Sequence, residues 1–304
     1  MINVSIKDET SRLRAVVLGT ASGFGGVPSL DEAYDPKSKQ HIINGTYPEE
    51  DHLTDEMEGF AAVFEKYNVK VYRPQIIENY NQVFSRDIGF VIDHTFVIPH
   101  ILSTRFREIE GIRYLIDQIP VDSVIEVPEG ARVEGGDVMP WDDHIFIGYS
   151  EEPDFNKYIV SRTNRQAVDF LSVTFRNRKV KAFELNKSDN DPKENALHLD
   201  CCFQPLGKDM AIIYKGGFKN EEDYEFLVDY FGKGKLIEIT KDEMYEMNSN
   251  VFSISPEIVV SDIRFERLNG ILRDHGFGVE SIKYEETAKM EGLLRCSTLP
   301  LIRD

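Results

Sequence analysis

The sequence predicts an α/β fold: a closed ring of five ββαβ units with pseudo-fivefold symmetry, an α/β propeller. Three observations carry this. One order of elements recurs: two short strand-like runs, an amphipathic helix, then a third strand-like run. The copies start roughly every 50–60 residues, a period that marks repeat architectures. Four copies follow one another directly, and the fifth is divided between the two ends of the chain. A ring requires such a division, because the chain ends meet, seal the circle and leave no open sheet edge.

The clearest copy begins at Asp87. IGFVI and TFVIPHI read as strands joined at Asp93-His94, a pair suited to a tight turn. STRFREIEGIRYLIDQ follows, with Phe106, Ile109, Ile112 and Leu115 roughly on one helical face, and SVIEVP closes the unit. The next copy is GGDVMPW, a turn at Asp142-Asp143, HIFIGY, the helix RQAVDFLSVTFR and the strand KVKAFEL. The third is LHLDCCFQPL, MAIIYK, NEEDYEFLVDYFG and KLIEIT; the fourth is NVFSIS, EIVVS, DIRFERLNGILRDHG and VESIKY. The divided fifth takes its first strand from LLRCSTLPLIRD and the rest from RLRAVVLG, LTDEMEGFAAVFEKYN and VKVYRP. Residues 1–304 are expected to form one propeller domain. Residues 21–51 are polar and carry Gly and Pro, and so read as a loop or lid over one face.

Composition narrows the function classes. The net charge is −18, which argues against nucleic-acid binding, since phosphate neutralisation needs a basic surface. The same field favours a small cation. The three cysteines include an adjacent pair, Cys201-Cys202, and offer no spaced framework for disulfides. There is no CxxC or HExxH, so neither a metal nor another cofactor is expected. No apolar leader and no run of about 18 apolar residues occurs, so the expectation is a cytoplasmic protein that does not enter membranes.

Chemically capable residues fall near the start of the first strand in most units: Asp87, Glu134 with Asp137, His198 with Asp200, Asn250, and Cys296. In a ring these positions converge on the pseudo-axis at one end. A thiol, a histidine and several acids are thereby gathered although none is close to all the others in sequence. Covalent catalysis by a thiolate beside a histidine fits this set. Carboxylates match the N–H fork of a planar guanidinium, whose delocalised charge makes its carbon a poor electrophile unless it is held in place. Gly135-Gly136 would also suit a plain turn with positive φ. Asn250 reads as structural, and Cys201 and Cys202 read as packing residues.

Five strings in fixed order, SRD (85–87), RVEGGDV (132–138), SRTN (161–164), LHLD (197–200) and LLRCSTLPLIRD (293–304), resemble the guanidino-group modifying superfamily of arginine deiminases, dimethylarginine dimethylaminohydrolases and amidinotransferases. They span about 220 residues. The resemblance implies the pentein form of the α/β propeller, with Cys296 as nucleophile, His198 as general acid and base, and Glu134 as its partner. It implies that Asp87 and Asp200 bind the guanidinium, with Asp137 nearby, and that Arg162 holds a substrate carboxylate with help from Arg105 or Arg107. The implied reaction is arginine-deiminase-type hydrolysis of arginine or a close analogue, with amidino transfer to an amine such as glycine as the alternative. The expected partners are a small guanidino substrate and, where the ring oligomerises, copies of itself. Two features depart from the family pattern. Lys289-Met290-Glu291-Gly292 replaces a glycine-rich run before the cysteine, and EEPDFNKYIV (151–160) is an insertion.

Overall fold

A computed structural model describes all 304 residues and contains five three-stranded sheets. In each sheet the middle strand runs antiparallel to one neighbour and parallel to the other. Phe90–Ile92, Thr95–Ile98 and Val124–Glu126 form one sheet; Val138–Trp141, His144–Tyr149 and Lys179–Glu184 form the next. Phe203–Leu206, Met210–Ile213 and Leu236–Glu238 form the third, and Phe252–Ser255, Ile258–Asp262 and Gly278–Ile282 the fourth. Leu13–Leu18 lies between the C-terminal strand Thr298–Arg303 and Lys70–Tyr72. The ends of the chain therefore close the fifth sheet, as the pentein ring requires.

The hairpins form where short polar residues tolerate left-handed backbone: Asp93 and Asp142 sit at φ 54° and 51°. The helices pack their apolar stripes outside the sheets. In Glu50–Lys66, Leu53, Met57, Phe60 and Phe64 recur at helical spacing and are buried to 1% exposure or less. Each such side chain contributes roughly 1.5–3 kcal/mol on burial. Phe60 and Phe64 meet Phe252 edge-on, which ties this helix across to the fourth unit.

One expected helix differs. Residues Ser103–Ile112 form a 3-10 helix, with α-helix only at Arg113–Ile116. A 3-10 helix aligns residues i and i+3. Here that alignment pairs Arg105 with Glu108, and Ile109 with Ile112, while Phe106 faces solvent instead of the core. The segment 21–51 contains a further helix, Pro36–Ile43, capped by the Asp35 side chain on Ser38 N–H.

Candidate active site

The short turns that lead into the first strand of successive units meet at the ring centre. Asp87 precedes Phe90–Ile92, and Glu134 precedes Val138–Trp141. His198 and Asp200 precede Phe203–Leu206, Asn250 precedes Phe252–Ser255, and Cys296 precedes Thr298–Arg303. All six are buried, with Cys296 only 3% exposed.

Glu134 and His198 are joined by a 2.9 Å contact between Glu134 Oε2 and His198 Nε2. The other ring nitrogen, Nδ1, lies 3.7 Å from Asp87 Oδ1. With a carboxylate at each nitrogen, the doubly protonated imidazolium is favoured. Burial lowers the His198 pKa, but Asp87, Asp137 and Glu134 together raise it above its ordinary value. Burial likewise raises Glu134, yet Arg162, His198 and Arg105 hold it well below the usual carboxylate range. This acid stays ionised.

Gly136 explains how the chain fits so closely. A Cβ there would lie 2.6 Å from His198 Nδ1 and 3.0 Å from Asp87 Oδ1, and a Cβ on Gly135 would lie 2.1 Å from the Arg86 carbonyl oxygen. Neither glycine has positive φ. The EGGD string is set by close approach, not by a left-handed turn. The Gly136 N–H also donates to Asp87 Oδ1 at 3.2 Å.

Three of the carboxylates near the sulfur and the imidazole, Asp87, Asp200 and Glu134, each carry an arginine. Arg105 Nη1 donates to Asp87 at 2.8 Å, and Arg295 Nη1 to Asp200 at 2.8 Å. Arg162 Nη1 donates to Glu134 at 3.0 Å. Arg105 also forks onto Glu108 at 2.8 and 2.9 Å. Arg295 bridges to Glu9, whose carboxyl is raised by burial yet drawn down to about 2, chiefly by Arg295 and Arg86. Asp87, Glu134 and His198 present ligand atoms within 4.8 Å of one another, a spacing a metal could use. Their oxygens already accept from Arg105 and Arg162, so guanidinium groups supply the positive charge this cluster needs.

Cys296 Sγ lies 3.6 Å from Asp200 Oδ2 and 3.1 Å from Asn250 Nδ2. Burial and the charges of Asp200 and Asp87 push its thiol well above the ordinary cysteine range. A cation placed between those two acids reverses that electrostatic penalty.

The structure brings Cys296, His198, Glu134, Asp87 and Asp200 together. It engages four other candidates in other contacts. Asp137 is fully buried and accepts from Thr163 Oγ1 at 2.7 Å and Leu199 N–H at 2.9 Å, so it fixes the backbone beside His198. Arg162 is wholly buried, and besides Glu134 it donates to the carbonyls of Tyr34 and Ile159. Arg105 is engaged by three acids, while Arg107 pairs with Glu110 on the surface. Sequence reasoning missed Arg295, Glu9 and Tyr34. The Tyr34 ring lies under both guanidinium groups, 5.7 Å from Arg105 and 5.3 Å from Arg162. A cavity of about 300 Å³ lies beside the cluster, lined by Tyr34, Asp35, Tyr47, Phe84, Arg105 and Glu108 among others. Residues 21–51 supply much of the lining of that cavity, and the insertion 151–160 contributes the Ile159 carbonyl to Arg162.

This fold and this cluster define a member of the guanidino-group modifying superfamily, which comprises guanidino hydrolases and amidinotransferases. The family described as N,N dimethylarginine dimethylhydrolase, eukaryotic, matches residues 38–287, and the chain belongs to it. That match ends before Cys296. The chain is 27% identical over 273 residues to the protein YkgA of Bacillus subtilis (strain 168), covering 86% of this chain and 87% of that one. It is 25% identical over 272 residues to the arginine deiminase of Limosilactobacillus reuteri, covering 74% of this chain and 62% of the deiminase. Among solved structures, inosamine-phosphate amidinotransferase StrB1 of Streptomyces griseus superposes with a TM-score of 0.76 at 16% identity, covering 100% and 97% of the two chains. The N-terminal domain of ArgZ, a cyanobacterial arginine dihydrolase, superposes with a TM-score of 0.77 at 16% identity, covering 95% and 97%. These two likenesses concern the fold. No helix is long and apolar enough to cross a membrane.

Proposed function

We propose that the chain is a cysteine-dependent hydrolase of a guanidino C–N bond, acting on arginine or an N-methylated arginine and leaving citrulline. The observation that carries this reading is the pairing of two aspartates with guanidinium groups around one thiol. Asp87 and Asp200 each hold an arginine N–H at 2.8 Å, and Cys296 Sγ stands 3.6 Å from Asp200. The centre is built to grip a planar cation next to a nucleophile.

In this reading the substrate guanidinium lies between Asp87 and Asp200. Its charge favours loss of the Cys296 proton to solvent water, since His198 is already protonated, and the thiolate adds to the central carbon. The carbon–nitrogen bond then breaks, its electron pair leaving on nitrogen as imidazolium His198 donates a proton. Ammonia or a methylated amine departs, and an amidino-thioether remains on Cys296. Neutral His198 next takes a proton from water as the water oxygen adds to the same carbon. The carbon–sulfur bond breaks with its electron pair returning to sulfur, and the hydroxyl proton of the adduct passes to the departing thiolate as the neutral urea product is released. Glu134 keeps the imidazole oriented and favours its protonated form in the first half.

Amidino transfer shares the first half and differs only in which nucleophile meets the thioether. Incubation with arginine or dimethylarginine, with and without glycine, separates the two. Hydrolysis gives citrulline in amounts indifferent to glycine, with ammonia or dimethylamine as the second product. Ornithine formed only with glycine, alongside guanidinoacetate, would assign the transferase. Cys296→Ser is expected to lose turnover by more than about 10³-fold. Retention of full citrulline formation in that variant would overturn the mechanism.

A further inference from the structure

Asn250 occupies the one ring-centre position that the reaction above leaves unused. It is fully buried, and its side-chain amide meets Cys296 twice: Oδ1 accepts the Cys296 backbone N–H at 3.1 Å, while Nδ2 stands 3.1 Å from Cys296 Sγ. The first contact fixes the orientation of the amide. A flipped side chain would set an NH₂ group against the backbone N–H, donor against donor. Nδ2 therefore faces sulfur with its hydrogens. The backbone of Asn250 is pinned as well, its N–H on the Met247 carbonyl and its carbonyl accepting from Arg295 N–H. Nδ2 also approaches the Asp200 carbonyl at 3.4 Å, and the neighbouring Ser249 Oγ donates to that carbonyl at 2.9 Å. The fourth unit is thereby anchored to the third, and the amide has little freedom to turn away.

We propose that Asn250 is a positioning residue for the nucleophile: its amide holds the Cys296 backbone with the oxygen and stabilises the thiolate with the nitrogen. The need for such a donor follows from the surroundings of the sulfur. Its charged neighbours include Asp200 and Asp87, which oppose a second negative charge, while Arg295 is committed to Asp200 and Glu9. Cys201 Sγ, on the adjoining turn, contacts the other oxygen of Asp200 at 3.9 Å. A neutral N–H aimed at sulfur favours the anion without competing with a cationic substrate for the two aspartates. The inference rests on Cys296 being the nucleophile.

The test is site-resolved alkylation by iodoacetamide as a function of pH, reading the Cys296 peptide by mass separately from the Cys201-Cys202 peptide. The midpoint of the pH profile reports thiolate formation, and a change in access alone scales the rate without moving that midpoint. Asn250→Ala is expected to raise the midpoint by about one unit and to slow labelling near neutrality about tenfold. Asn250→Asp keeps the acceptor for the Cys296 N–H, replaces the donor by a charge and is expected to shift the midpoint further. An unchanged midpoint in a folded Asn250→Ala protein overturns the proposal. Should that variant not fold, an unchanged midpoint in Asn250→Asp overturns it equally. The readout needs no turnover, so it stays distinct from failure of the hydrolase reading, which the citrulline assay on Cys296→Ser reports.

Discussion

Two groups of buried acids in this protein are neutralised in opposite ways. At the ring centre, Asp87, Glu134, Asp200 and Glu9 are each bonded to an arginine. At the covering segment, Asp35 and Glu291 face one another and no arginine bonds either. Asp35 accepts from Ser38 N–H at 2.7 Å, and Glu291 from Asn195 Nδ2 at 2.6 Å. Nearby Lys37 turns its Nζ to the Tyr245 carbonyl, and burial lowers it to about 8. The consequences diverge. Glu134 is held well below its ordinary value, whereas burial raises Asp35, and burial together with Asp35 raises Glu291 well above. At the centre the arginines keep Glu134 ionised. The covering segment is fastened to the loop before Cys296 by a pair that must hold a proton.

The largest test of this contrast removes one charge from the centre. Glu134→Gln preserves volume but leaves Arg162, Arg105 and His198 facing a neutral amide. Breaking a buried ionic network in this way costs about 3–5 kcal/mol. Loss of the imidazolium's partner is expected to lower kcat by roughly 10²–10⁴-fold. Denaturant midpoints and kcat measured together check both, and a stable, active variant would show that the arginines do not depend on this acid. Arg295→Met comes next. It strands Asp200 and Glu9, and a loss of about 3 kcal/mol is expected, with kcat falling because Asp200 is no longer held beside Cys296. Thermal unfolding at pH 7 against pH 4.5 sharpens the result. Glu9, at about 2 in the intact protein, loses Arg295, the largest of its stabilising charges, while Arg86 and Arg303 remain, so the variant should recover part of its deficit in acid.

The difference between these regions also marks how far the sequence could be read. The ring was legible because its period, its hairpin turns and its divided fifth unit are local patterns. Convergence of Cys296, His198, Glu134, Asp87 and Asp200 followed from their shared place within the unit. The arginine pairing was not legible. Arg295 and Glu9 lie at opposite ends of the chain and meet only because the ring closes. Arg162 reads as a ligand for a substrate carboxylate, but in this structure it is spent on Glu134, Tyr34 and Ile159. Phe106 fits the helical face by spacing, yet the segment is a 3-10 helix in which Phe106 turns outward while Arg105 and Glu108 are buried. Asn250 carries no chemical signal until the sulfur is placed next to it.

The smallest expected effect belongs to the covering segment, and there the sign of the pH dependence discriminates. Asp35 and Glu291 have folded values above their ordinary ones, so their contribution to stability is complete below the usual carboxylate range and fades as pH rises through the raised values. Glu134 behaves inversely: its contribution is present above about 4.5 and is lost as pH falls toward its depressed value. Glu291→Gln supplies a permanent N–H in place of the shared proton. It should flatten the alkaline side of the stability profile, by about 1 kcal/mol, and leave the acid side to Glu134. Glu291 also sits at φ 58°, a left-handed conformation that costs a residue with a Cβ about 1 kcal/mol. Glu291→Gly removes the titrating group and the strain but also the acceptor for Asn195, so its difference from Glu291→Gln is the relief of strain less the loss of those side-chain contacts. If Glu291→Gln instead leaves the alkaline slope of the urea midpoint unchanged, the pair is not what ties the covering segment to the cysteine loop.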